Sequence, residues 1–328
     1  MDEERRSALL EVKLGALVRD AFGVTGGAPS PFPGGAALLA GGTLHVLLEG
    51  STRSIGPAVA LAQRHDATRV RLVVTEGAAR LATQADAFAG PIEVFAALGT
   101  EVRLAEPEVT PRAAAPPDAP ALVALVAGAG LDVVAEDGRF AGEVRGLEVA
   151  RVTEPAPGSG AELEVGVGHA DRELTSMLHS GLAPEAALAR VVEVVDVLRR
   201  PGAEPHPLNR LVPERWLRWV VRGDPSLAGA RALEPVPSPR PRAGLRDRDV
   251  ACATATLLDD APAVVVCSVG VDVDLVPLAA EARALYAPDA ELILVVPARD
   301  VHRATTGLAT ALRHPARIVA VEGEWRTR

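Results

Sequence analysis

Hydrophobic and polar positions alternate along the chain in blocks with the lengths of helices and strands. Roughly the first 20 residues have a helical pattern, and the glycine- and proline-rich stretch GGAPSPFPGG then breaks it. Strand and helix patterns follow in alternation. The predicted strands are residues 44–48, 70–74 and 92–96, and the predicted helices are residues 57–64 and 78–88. This order predicts a parallel sheet with right-handed crossovers.

The same order of elements returns near the C-terminus. Here the predicted strands are residues 264–267, 292–296 and 318–321, and the predicted helices are residues 277–285 and 301–312. The segment PAVALAQRHDATRVRLVV of the first block aligns with PLAAEARALYAPDAELILVV of the second. We interpret this similarity as an internal duplication of a βαβαβ unit, with convergence of two ordinary α/β units as the alternative.

Between the two repeats lies a module with a different pattern. Its predicted strands are residues 131–135, 145–153 and 162–167, and its predicted helices are residues 121–127, 171–179, 184–200 and 213–222. The predicted fold class is therefore α/β, with two Rossmann-like βαβαβ units that flank an α+β insert. The predicted domains are 1–110, 111–233 and 251–328, with a proline- and arginine-rich linker at 234–250.

Composition excludes several classes of protein. No apolar run approaches the ~18 residues of a membrane span, and the charged N-terminus does not have the pattern of a secretory signal. Two cysteines, Cys252 and Cys267, are too few for a disulfide framework. We therefore expect a cytoplasmic protein. Lys13 is the single lysine, which argues against Schiff-base enzymes, Walker-A NTPases and protein kinases.

The loop after the first strand of each repeat is a candidate ligand site, because ligands of parallel α/β sheets bind at the carboxyl ends of strands. In the first repeat this loop reads EGSTRSIG, and Ser51 and Thr52 precede a helix N-terminus that could hold a phosphate. The alternative is that these residues only cap the helix and turn the chain.

Three aspartates mark the same edge of the second repeat. Asp272 and Asp274 follow its first strand, and Asp300 follows the next. Carboxylates on one sheet edge could share a divalent cation. Helix capping and solvation are the alternative for all three side chains.

Two glutamates of the middle module lie on adjacent predicted strands. The order helix, strand, strand, strand, helix over residues 121–198, with Glu148 and Glu164 on neighbouring strands, resembles the PD-(D/E)xK nuclease core. This resemblance implies that the two carboxylates are catalytic. Gly166 stands where the family has a lysine, so a domain of this kind would be degenerate or would use another cation.

Positive charge is concentrated late in the middle module. Residues 199–248 contain eleven arginines against five acidic residues, a net charge of +6 in a chain of net charge −9. Within this island, the helical pattern RWLRWVVR places Arg215, Arg218 and Arg222 on one face and Trp216 and Trp219 on another. Arginines could bind phosphates and tryptophans could stack on bases; the alternative is inward-packed tryptophans with solvated arginines.

Two functional classes remain open from the sequence. The slightly favoured one is a non-catalytic binding or scaffold protein, because the lysine of the nuclease pattern and recognisable catalytic motifs such as G-x-S-x-G are missing. The alternative is a metal-dependent enzyme that acts on a phosphate-bearing or nucleic-acid substrate. A membrane partner is not expected.

Overall fold

The computed structural model describes residues 3–99, 101–109, 116–156, 158–168, 183–242 and 244–327. In these residues eight α-helices and three β-sheets form a mixed α/β fold. The chain divides into two compact units. The first comprises Met1–Thr110, Val271–Leu285 and His302–Arg317, and the second comprises Pro111–Gly270, Tyr286–Val301 and Ile318–Arg328. The domain boundaries expected from the sequence stay a prediction.

A six-stranded sheet with the order β1-β2-β3-β4-β5-β6 organises the first unit. Its strands are β1 Ser30–Phe32, β2 Gly35–Ala40, β3 Thr43–Leu48, β4 Arg69–Val74, β5 Ile92–Leu98 and β6 Glu101–Leu104. Its helices are α1 Glu3–Phe22, α2 Gly56–Arg64, α3 Ala78–Asp86, α7 Leu275–Tyr286 and α8 Arg303–Thr310. The last residue of α7, Tyr286, is assigned to the second unit. Strands β3, β4 and β5 pair in parallel, as the alternation of strand and helix patterns predicts.

Strands β1 and β2 were not expected, because they lie in and directly after the glycine- and proline-rich break. They form antiparallel pairs that extend the sheet beyond β3. A Cβ atom on Gly35 would lie 1.7 Å from the carbonyl oxygen of Leu47, so the two backbones are too close for any side chain here. The glycine that reads as a chain breaker therefore permits close strand pairing.

Two sheets organise the second unit, with the orders β10-β9-β8-β7 and β11-β12-β13-β14-β15. The strands of the first are β7 Asp132–Glu136, β8 Arg139–Val144, β9 Leu147–Thr153 and β10 Glu162–Val165. Those of the second are β11 Ala230–Val236, β12 Ala251–Leu257, β13 Pro262–Cys267, β14 Glu291–Pro297 and β15 Arg317–Val321. The helices are α4 Pro120–Gly128, α5 Pro184–Arg199 and α6 Pro213–Gly223.

Several sequence-based boundaries in the second unit need correction. The strand predicted at 145–153 begins only at Leu147, because Arg145 and Gly146 have positive φ angles and form the turn between β8 and β9. Strands β8, β11 and β12 were not predicted. The predicted linker overlaps the end of β11, which pairs with β12. The helix predicted at 171–179 lies outside the described residues. The pairing of β13 with β14 is parallel, while the duplication itself stays a proposal.

Separate apolar cores hold these layers together. Helix α1 packs Leu10, Leu14 and Val18 against residues of the first sheet that include Leu47 and Val73. In the second unit, one core lies under the β7–β10 sheet and another under the β11–β15 sheet. Within the described part of the chain, no helix combines the length and apolar character required to traverse a bilayer.

Candidate functional site

Helix α6 lies between the two sheets of the second unit. Pro213 occupies its first turn, where a missing backbone N–H costs nothing. Trp216, Leu217, Val220 and Val221, spaced at i, i+1, i+4 and i+5, are all buried in the core of the β11–β15 sheet. The sequence placed the tryptophan stripe correctly on an apolar face, and the structure shows what that face covers.

The arginines of α6 point to acidic side chains of the β7–β10 sheet. Arg215 binds both carboxylate oxygens of Glu136, at 2.6 and 2.7 Å, and one oxygen of Glu143 at 3.0 Å. Arg218 donates to Glu143 at 3.1 Å. Arg215 and Arg218 are only 6% and 5% exposed, so the exposure that a nucleic-acid interface would require of them is absent. The helix thus joins two sheets, one by apolar packing and one by ion pairs.

Arg222, the third arginine predicted to contact phosphate, lies at the edge of this network. It donates to Asp132 at 2.9 Å, and about a third of each side chain is exposed. An exposed pair of this kind contributes little to stability. The three arginines therefore all form ion pairs with acidic residues, and the last pair, at the end of the helix, is the most exposed.

The buried pairs are held in their charged forms. Burial raises the pKa of Glu136, but the guanidinium of Arg215 and its neighbours more than offset this effect, and the pKa lies below its usual range. Burial likewise lowers the pKa of Arg215, and the carboxylates of Glu136 and Glu143 outweigh it. Neither group is therefore poised to exchange a proton near neutral pH.

The two glutamates of the nuclease-like pattern pair with different arginines. Glu148 accepts a hydrogen bond from Arg139 at 3.3 Å and is 5% exposed. Glu164 lies opposite Arg151 in the pairing of β10 with β9, and these two side chains approach to 2.8 Å. Sequence reasoning missed these pairs, although each glutamate has its arginine partner on the neighbouring strand of the same hairpin: Arg139 for Glu148 and Arg151 for Glu164.

The loop after β3, which contains Ser51 and Thr52, contacts the loop that contains Asp272 and Asp274. Arg53 Nη1 lies 3.6 Å from Asp272 and 3.2 Å from Asp274, and the Ser54 hydroxyl donates to Asp274 at 2.5 Å. The neighbouring carbonyl of Thr52 accepts a hydrogen bond from Arg80 at 2.6 Å. Arg53 and Ser54 were not singled out from the sequence, although they follow Ser51 and Thr52 directly in the same loop.

The remaining candidates have other surroundings. Ser51 is exposed. Asp300 lies in the second unit and accepts a hydrogen bond from the backbone N–H of Gly270 at 2.7 Å. Among the described residues, no cluster of three or more histidine, cysteine, aspartate or glutamate side chains could hold a metal ion.

A cavity of about 500 Å³ adjoins Trp216 on α6. Arg200, Arg210 and Arg326 contribute to its lining, and the first two belong to the basic island. Comparison of the chain with protein-family models, with curated proteins and with solved structures gives no match.

Proposed function

We propose that this protein is a non-catalytic binding or scaffold protein. The observation that carries the proposal is the pairing of the candidate catalytic carboxylates with arginines: Glu148 with Arg139, Glu164 with Arg151, and Asp272 and Asp274 with Arg53. A carboxylate that binds a metal or transfers a proton must be available to it. In these pairs each carboxylate already has an arginine partner, which favours a structural role.

The pairing of similar segments within the first unit supports a duplicated scaffold. Phe88, which follows α3, forms an antiparallel bridge with Leu312, which follows α8. The backbone N–H of Ala89 donates to Ala311 O, and that of Arg313 donates to Ala87 O, both at 2.9 Å. In the proposed duplication these two segments are equivalent, so the bridge would relate the repeats by an internal two-fold relationship.

Unfolding measurements on carboxylate variants test the proposal. Catalytic residues are commonly held at a cost in stability, so their replacement often stabilises a protein, whereas breaking a structural pair destabilises it. We expect Glu148→Gln and Asp274→Asn to lower the unfolding midpoint. Asp260→Asn is a matched control, because Asp260 pairs with Arg231 at an exposed position. A raised midpoint in either test variant would contradict a purely structural role.

Cation titration tests the alternative, a metal-dependent enzyme acting on a phosphate-bearing or nucleic-acid substrate. We expect millimolar Mg²⁺ or Mn²⁺ to leave the unfolding midpoint of the wild-type protein unchanged. A saturable rise that is lost in both Asp272→Asn and Asp274→Asn would overturn the scaffold proposal, because ligand binding to the folded state raises stability by mass action.

A further inference from the structure

The cavity beside α6 has a cationic lining. Its lining includes three arginines, Arg200, Arg210 and Arg326, and one acidic residue, Glu324. Glu324 lies 3.8 Å from Arg299, so part of its charge is already offset. The cavity is therefore an electropositive pocket within a chain that is acidic as a whole.

Buried hydrogen-bonding groups of the lining lack partners. The indole N–H of Trp216 belongs to a side chain that is 2% exposed, and it has no hydrogen-bond partner among the described residues. The same holds for Nε of Arg326 and Oδ1 of Asn209. A buried group without a partner is unfavourable in the folded protein, so a ligand that reached these atoms would gain affinity from them.

A buried arginine binds the backbone of the segment that carries Asn209 and Arg210. Arg199 is fully buried and donates to the carbonyl oxygens of Leu208 at 2.8 Å and Leu211 at 3.2 Å. At the start of the segment, His206 Nδ1 accepts a hydrogen bond from the N–H of Leu208 at 3.3 Å. In the neutral ring Nε2 then carries the proton, which makes His206 a further donor in the lining.

Positive charge is in excess around the cavity. Burial, and next the charge of Arg326, lower the pKa of Arg199 to about 9. Burial and next the charge of Arg299 also lower the pKa of Arg326. An anion bound here would offset this repulsion between cations.

We propose that this cavity binds a small phosphate-bearing molecule. Arginine and indole N–H groups suit the several acceptor oxygens of a phosphate, and Oδ1 of Asn209 suits the hydroxyl of a protonated phosphate or of an attached sugar. A volume of about 500 Å³ leaves room for more than a single phosphate group. This site goes beyond the proposed function, because an anion pocket serves a binding protein and an enzyme alike.

Tryptophan fluorescence reports binding directly. Trp216 lines the cavity, and its ring centroid lies 6.0 Å from that of Trp325, so two of the chain's three tryptophans respond to an occupant. We would titrate the full chain with inorganic phosphate and with glucose 6-phosphate at constant ionic strength, and confirm binding by calorimetry. The expected result is a saturable change in emission, with tighter binding of the sugar phosphate. A linear response to both ligands would overturn the proposal.

Three variants and one control locate the site. Arg326→Gln and the exposed Arg210→Gln should each weaken binding about tenfold or more, since each removes a charged donor. Trp216→Phe should weaken it severalfold. Arg231→Gln, which removes an exposed arginine of the same unit outside the lining, should leave affinity unchanged. Equal affinities for Arg210→Gln, Arg326→Gln and Arg231→Gln would refute the site, and equally tight binding of citrate would refute its preference for phosphate.

Discussion

The guanidinium of Arg215 forms a two-point ion pair with the carboxylate of Glu136, and both side chains are buried. This contact attaches helix α6 to strand β7 across 79 positions of sequence. A single lysine nitrogen could not make all of these contacts, because Nη2 of Arg215 contacts both oxygens of Glu136 while Nη1 donates to Glu143.

Removal of the Glu136 charge should destabilise the protein strongly. Glu136→Gln leaves Arg215 buried with Glu143 as its remaining charged partner, and loss of one member of a buried pair costs about 3–5 kcal/mol. We expect a loss near the lower end of that range in denaturant unfolding. The control is Arg231→Gln at the exposed Arg231–Asp260 pair, where the loss should stay below about 1 kcal/mol. Similar losses in the two variants would contradict the importance of burial.

A methyl group at Gly146 should separate the β8–β9 turn from helix α6. Gly146 has φ +78°, and an added Cβ would lie 2.4 Å from the backbone carbonyl carbon of Arg215. Gly158 has φ +80° with no neighbouring atom within 4 Å, so Gly158→Ala measures the conformational cost alone. That cost is about 1 kcal/mol. We expect Gly146→Ala to cost at least twice as much in unfolding free energy, and equal costs would argue against this close approach.

The free energy of unfolding should decrease as the pH is lowered, because of His45. Its ring is 1% exposed and packs 5.5 Å from the ring of Phe22, and neither ring nitrogen has a hydrogen-bond partner among the described residues. Burial, assisted by Arg71 and opposed by Glu93, lowers its pKa to about 4, from 6.5. Between these values the unfolded chain binds a proton that the folded chain does not, so acidification favours unfolding.

The pH effect is measurable as a difference between two proteins. From pH 7.5 to pH 5 the His45 contribution should reduce the unfolding free energy by about 2 kcal/mol. His45→Leu removes this contribution while the other titrating groups remain, so its stability should depend less steeply on pH in this window. Parallel pH profiles for the wild type and the variant would show that His45 titrates normally in the folded state.

The two thiols should stay unreactive until the protein unfolds. Cys252 and Cys267 are fully buried on adjacent strands of the β11–β15 sheet, and neither forms a disulfide bond. Burial raises the pKa of Cys267 to about 12, against a smaller opposing effect of Arg218. Because the thiolate is the reactive form, we expect no labelling by iodoacetamide under native conditions and complete labelling in denaturant. Rapid labelling of the native protein would indicate local opening of this sheet.

Local sequence patterns determined many of the elements. The proline at position 57 falls in the first turn of α2, and the apolar blocks at 70–74 and 292–296 fall within β4 and β14, since periodicity and proline geometry act over a few residues. The pattern also placed Trp216 and Arg215 on different faces of α6. Strand β2 was missed because Gly35 reads as a chain breaker in the local sequence. In the fold the same glycine allows two strands to approach closely.

Only the tertiary structure decided what those faces meet. Helical spacing shows that Arg215 and Arg218 share a side of α6, but it does not show that the side is buried, because their partners Glu136 and Glu143 are more than 70 positions away. The cationic cavity likewise combines Arg200 and Arg210 with Arg326 from the C-terminal turn. Burial and charge pairing depend on contacts between distant segments, so a charge run in the sequence does not show whether its arginines bind a ligand or hold two sheets together.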